Sequence, residues 1–124
     1  MSGKVVHFEI PYDDGDRARG FYKEAFGWDL QSWGDGSYTL VSTGPTGETG
    51  PTETGFINGG MMKREGFFSA PVVTVAVDDI DEVLTAIGRL GGKTVQERMP
   101  VGDMGFSAYF QDPEGNVIGL FQMA

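Results

Sequence analysis

With 124 residues, 40% of them apolar and none a cysteine, the chain has the size of one domain whose core is held by packing rather than by disulfides. Eighteen acidic against nine basic side chains give a net charge of −9, which repels phosphate backbones and argues against nucleic acid as a partner. One histidine, His7, and no thiol leave a single chain unable to build a three-histidine or thiolate zinc site, and no apolar run approaches the ~18 residues of a membrane span.

The N-terminus lacks the shape of a secretory signal, so the expected location is the cytoplasm. The 20 glycines follow no triplet period and point instead to many tight turns and bent strands.

In chain order, residues 4–10 (KVVHFEI) form an apolar-biased run stopped by Pro11 and read as a strand. Asp13, Asp14 and Asp16 supply a turn and N-cap candidates. Ala18, Phe21, Tyr22, Ala25 and Phe26 follow at helical spacing, and Gly27 closes the helix. Residues 28–33 and 37–43 read as strands around Gly34-Asp35-Gly36, a hairpin turn. Residues 44–54 (GPTGETGPTET) have no period and read as a loop; 55–62 is a fourth strand and 63–70 a connector.

The order then repeats. Residues 71–77 (PVVTVAV) are a strand. Asp78 and Asp79 open a helix whose Ile80, Val83, Leu84, Ile87 and Leu90 make one apolar stripe, ended by Gly91-Gly92. Strands are expected at 93–99, 104–111 and 116–123, with turns at 100–103 and at Asp112-Pro113-Glu114-Gly115.

Asp14 to Gly27 and Asp78 to Gly91 are both 13 residues, and each interval holds a helix preceded by a strand. The chain therefore reads as α+β, a βαβββ unit in two tandem copies. Module one is 1–63, the connector 64–69 and module two 70–124, all in one domain. Two copies side by side can cover both sheet faces, and the groove between them is the expected ligand site.

Strand alternation selects the residues facing that groove. In the first strand Val6, Phe8 and Ile10 face the helix, leaving His7 and Glu9 on the other side. Their Cα atoms are about 6.5–7 Å apart, a spacing that suits an acid/base pair or a hydrogen-bonding pair, although the plainer reading is a histidine satisfied by a neighbouring carboxylate or backbone group. In the fifth strand Val73, Val75 and Val77 face the helix and Val72, Thr74 and Ala76 face inward. In the seventh, Phe106, Ala108 and Phe110 pack on the helix, while Ser107, Tyr109 and Gln111 line the cavity. The last strand is apolar on both faces, so Ile118 and Leu120 cannot be separated from Val117, Gly119 and Phe121 by pattern.

Tyr38, Trp33, Tyr109 and Phe121 can stack on a planar or cationic ligand, or serve as core. Met61, Met62, Phe67 and Phe68 read as a mobile lid, a dimer contact or core filling. Gly59, Gly60 and Gly119 either relax bent strands or leave space for a substrate.

These residues resemble the vicinal oxygen chelate superfamily, which includes glyoxalase I, bleomycin-resistance proteins, extradiol dioxygenases and fosfomycin-resistance enzymes. The resemblance is carried by His7, by Arg17-Ala18-x-x-Phe21-Tyr22-x-x-x-Phe26-Gly27-Trp28, by Val77-Asp78-Asp79-Ile80-Asp81, by Gly91-Gly92 and by Asp112-Pro113-Glu114-Gly115-Asn116-Val117-Ile118-Gly119-Leu120. It spans essentially the whole chain. It implies a curved mixed sheet around a small-molecule pocket, and a homodimer or at least a pseudo-dimeric monomer.

It also implies metal-ligand positions on strands one, four, five and eight. His7 stands at the first, a window of Asn58, Gly59, Gly60 and Met61 at the second, Val72 at the third and Gly119 at the fourth. One filled position is too few for a divalent cation, which needs three or more protein ligands. The expectation is thus a metal-independent small-molecule-binding protein without cofactor, its ligand cationic or aromatic and held by His7, Glu9, Tyr38, Thr74, Tyr109 and Phe121. The alternatives are a lyase or dioxygenase of the same superfamily, with His7 and Glu9 as its catalytic candidates, or a non-catalytic interaction module.

Overall fold

The computed structural model describes residues 3–124. The described chain divides into two compact units, one from His7 to Pro71 and one from Val72 to Ala124 that also takes in residues 3–6.

In the first of these, strand β1 (Val5–Tyr12) leads into helix α1 (Gly15–Phe26). Asp14 caps the helix by accepting a hydrogen bond from the Arg17 N–H at 3.0 Å. Gly27 ends it in the left-handed conformation, φ 73°, which a side chain would oppose. Strands β2 (Asp29–Trp33), β3 (Tyr38–Ser42) and β6 (Asn58–Lys63) follow, with a short ribbon, β4 (Thr46–Gly47) and β5 (Gly50–Pro51), inside the segment expected to be a loop. The strand order is β2-β3-β6-β1, antiparallel except for the parallel β6–β1 pair.

Strand β1 does not stop at Pro11. The Tyr12 carbonyl accepts from the Arg64 N–H at 2.8 Å, so Tyr12 faces the β6 side and Pro11 the opposite one. The proline's missing N–H therefore costs that ladder nothing.

The other unit repeats the order with β7 (Val72–Ala76), α2 (Ile80–Arg89), β8 (Lys93–Val101), β9 (Gly105–Gln111) and β10 (Val117–Met123). Its strands run β7-β10-β9-β8, with β7–β10 the parallel pair. The topology is that of the first unit strand for strand. Asp79 caps α2 through the Glu82 N–H at 3.1 Å. Strand β8 runs on through Pro100 to Val101, beyond its expected end, and its ladder with β9 is broken by two bulges.

Helix α2 lies on one face of its sheet, whereas α1 buries none of its residues fully. Ile80 and Leu84 pack with Val77, Ala108 and Leu120, and Val75, Phe106 and Phe110 border them. That is the expected helix side except at Val73, which is 42% exposed. Leu120 settles the strand that pattern left open: Val117, Gly119 and Phe121 lie on the opposite face. In the first unit Val41, Thr39, Met61 and Phe68 are the buried residues. Met61 and Phe68 are thus core, and the connector turns tightly through paired Glu65–Phe68 backbone hydrogen bonds.

Candidate functional site

Alternation and register define the open face of the first unit. Glu9 is paired with Gly60, Gly60 with Leu40, Met62 with Tyr38 and Tyr38 with Trp33, so these side chains share one face of four strands. His7, two residues before Glu9, joins them.

Three of these side chains are linked by hydrogen bonds. The Tyr38 hydroxyl donates to Glu9 Oε2 at 2.8 Å and lies 2.9 Å from His7 Nε2. Glu9 is 6% exposed, and a buried carboxylate requires such donors. His7 and Glu9 are therefore bridged by a phenol from β3. Burial pushes the His7 imidazole below its usual pKa of 6.5, and the Glu9 charge opposes that shift. A histidine so placed favours its neutral form near neutral pH.

Gly60 makes this bridge possible. A Cβ on residue 60 would run into the Tyr38 hydroxyl and ring, so the space over Gly60 belongs to the tyrosine. A Cβ on Gly59 would strike the carbonyl and ring of Phe8. Of the two readings of Gly59 and Gly60, the one that needs open space meets aromatic side chains instead, Tyr38 over Gly60 and Phe8 over Gly59. Asn58 is engaged elsewhere. Its side chain accepts from the Thr43 N–H and donates to Thr46 Oγ1, both at 2.9 Å, which pins the start of the 44–54 segment.

Two further features share this face. The Trp33 ring meets Tyr38 edge-on, with centroids 6.4 Å apart at 78°. Farther along β2 and β3, Asp29, Gln31, Leu40 and Ser42 line an open cleft of about 290 Å³ bounded by Gly44 and Thr46.

The second unit has a face turned away from α2. Gly119 is paired with Thr74 on one side and Tyr109 on the other, and Phe121 with Ala76 and Ser107. Thr74 and Tyr109 are buried, and a Cβ on Gly119 would lie 2.8 Å from Thr74 Oγ1 and 3.4 Å from the Tyr109 ring. Within their own units, Glu9 lies beside Gly60 and Thr74 beside Gly119.

The six expected ligand-binding residues therefore fall into two groups. His7, Glu9 and Tyr38 are joined in the first unit, and Thr74, Tyr109 and Phe121 share a face in the second. Sequence reading offered Tyr38 as a stacking ring, whereas its hydroxyl is the hub of the polar cluster. The available signal was a tyrosine on one strand and two consecutive glycines on another, and only the β3–β6 pairing brings them together. Among the described residues, no group of three His, Asp or Glu side chains is arranged to hold a metal ion. No helix among them is long and apolar enough to cross a membrane.

Residues 4–44 match the family of bleomycin resistance protein-like N-terminal domains. A glyoxylase-like domain-containing protein of Didymella fabae is 29% identical over 118 residues, covering 94% of this chain and 91% of the relative. CFP32 of Mycobacterium bovis, which bears a provisional glyoxylase name, is 28% identical over 118 residues; this chain spans 43% of its length. Methylmalonyl-CoA epimerase from Mycobacterium tuberculosis superposes with a TM-score of 0.64 over 98% of this chain and 88% of its own, at 18% identity, which is a likeness of fold.

Proposed function

Because the chain belongs to the vicinal oxygen chelate superfamily, as a glyoxalase-like and bleomycin-resistance-like α+β protein, we propose that it binds a small organic molecule and does so without a resident divalent ion. The observation that carries this reading is the bridge His7–Tyr38–Glu9. At the first family ligand position, the histidine spends Nε2 on a phenol. At the second, Asn58 is committed to Thr43 and Thr46, and Tyr38 covers Gly60. At the third and fourth, Val72 and Gly119 have no side-chain donor atom at all. This donor set does not fit a cation that requires three or more ligands.

Binding then rests on shape, aromatic contact and charge. The net charge of −9 and the Glu9 carboxylate favour a cationic or aromatic ligand over an anionic one. A homodimer in the cytoplasm is the setting that accompanies this reading.

Metal analysis of protein purified without chelator tests it. Less than stoichiometric zinc, nickel, iron, manganese or cobalt is expected, and one ion per chain would defeat the proposal. In a thermal-shift screen of metals, thiols, antibiotics and small aromatic compounds, stabilisation is expected from organic ligands and from no metal, and it should shrink in His7→Ala.

A metal-free enzyme is the second reading, favoured by the same bridge, because a neutral imidazole linked through a phenol to a buried carboxylate can move a proton. Turnover abolished by both His7→Ala and Glu9→Gln, with binding retained, would select it.

A further inference from the structure

The Tyr38 hydroxyl has one proton and lies 2.8 Å from Glu9 Oε2 and 2.9 Å from His7 Nε2. A carboxylate can only accept. Were the phenol proton given to His7, Glu9 Oε2 would lose this donor and face a phenol lone pair, which is unfavourable at a buried carboxylate oxygen. The proton therefore goes to Glu9, and Nε2 must be the donor toward the phenol oxygen. An imidazole protonated on Nε2 keeps its lone pair on Nδ1. Among the described residues, the hydrogen bond of His7 runs through Nε2, and no buried side-chain nitrogen or oxygen lacks a partner. Nδ1 consequently reaches solvent.

We infer that Tyr38 is a positioning residue that locks His7 with Nδ1 outward as a hydrogen-bond acceptor, so that the ligand of this face is an organic cation bearing an N–H donor, such as an amidine, guanidine or amine. The inference rests on the small-molecule-binding reading above and adds the chemistry of the ligand's contacting group. An anion at the same place would meet a lone pair and the nearby Glu9 charge, with the phenol proton already given away. Asp29 adds a second carboxylate to the face, and Trp33 next to Tyr38 offers an indole, the ring that best accommodates a cation.

A chain with one histidine allows a direct measurement, since its ring nitrogens are unambiguous in ¹⁵N NMR. At neutral pH the two-bond ring correlations are expected to show a protonated Nε2 and an unprotonated Nδ1. The opposite tautomer would overturn the inference. In Tyr38→Phe the phenol oxygen is gone, and a mixture of tautomers is expected. An unchanged Nε2–H tautomer in a folded variant would show that Tyr38 does not position the ring. Should that variant not fold, the wild-type tautomer still decides.

Benzamidine and benzoate probe the ligand class, because they share a ring and differ in the group presented. Titration of the wild-type protein with benzamidine is expected to move the His7 Nδ1 resonance saturably, and Tyr38→Phe to bind it about tenfold more weakly, the equivalent of one ordinary hydrogen bond. Saturable binding of benzoate at His7, or no response to benzamidine, would overturn the assignment. The two proposals fail separately: a stoichiometric metal ion defeats the metal-free reading, whereas a wrong tautomer in metal-free protein defeats only this one.

Discussion

The Tyr38 hydroxyl stands where a side chain on Gly60 would begin, so one residue must stay bare for the other to reach Glu9. Gly60→Ala is expected to push Tyr38 aside and break its bond to Glu9. Overpacking of this kind costs about 1–3 kcal/mol. Urea denaturation reads the loss. Adding Tyr38→Ala removes the clash, so the double variant should be more stable than the sum of the singles by about 0.5–3 kcal/mol. Additive effects would mean the two residues do not compete for that space.

Tyr38→Phe removes a donor to a buried carboxylate without changing the ring. A destabilisation of about 1–3 kcal/mol is expected. Tyr22 is the control. Its ring stacks on Trp28 at 5.0 Å and 4°, a contact that Phe preserves. Tyr22→Phe should stay within about 0.5 kcal/mol of wild type in the same assay. Equal effects at the two positions would refute a special role for the Tyr38 hydroxyl.

In the second unit Gly119 lies between Thr74 and Tyr109, and the nearest atom to an added methyl would be Thr74 Oγ1 at 2.8 Å. Gly119→Ala should lower the melting temperature, and Thr74→Ala in the same chain should recover part of the loss. No recovery would place the strain in the backbone rather than at that hydroxyl.

His7 titrates below its usual value when folded because burial disfavours its charged form, with Glu9 opposing. The unfolded chain therefore takes up this proton first as the pH falls. The resulting stability is fully present above the ordinary pKa of 6.5 and is lost as the pH drops from there through the folded-state value. Urea midpoints should decline over that window in the wild type and decline less in His7→Gln. Identical profiles would show that His7 is not the group responsible. Asp35 and Asp112, held below the usual carboxylate range chiefly by hydrogen bonds from Ser37 and Asn116, act at lower pH and should affect both proteins alike.

Much of the fold was legible because its causes are local. Asp14, Gly27 and Asp79 mark helix ends through their own neighbours' backbone groups, and the stripe Ile80–Leu84 reports one buried face by spacing alone. Alternation likewise placed Ala108 on the helix side and His7 and Glu9 away from it. Local rules misjudged Pro11 and Pro100, because whether a missing N–H matters depends on which neighbour that edge of the strand faces.

By itself, then, the amino-acid order determined the doubled βαβββ plan, the helix limits and the faces of most strands, since 2.0- and 3.6-residue periods need no knowledge of distant contacts. Only the folded chain decided that Tyr38 reaches over Gly60 to join His7 and Glu9, that Asn58 holds Thr43 and Thr46, and that Gly119 faces Thr74 and Tyr109. Those pairings depend on strand register and close approach between residues far apart in the chain, which no local period encodes.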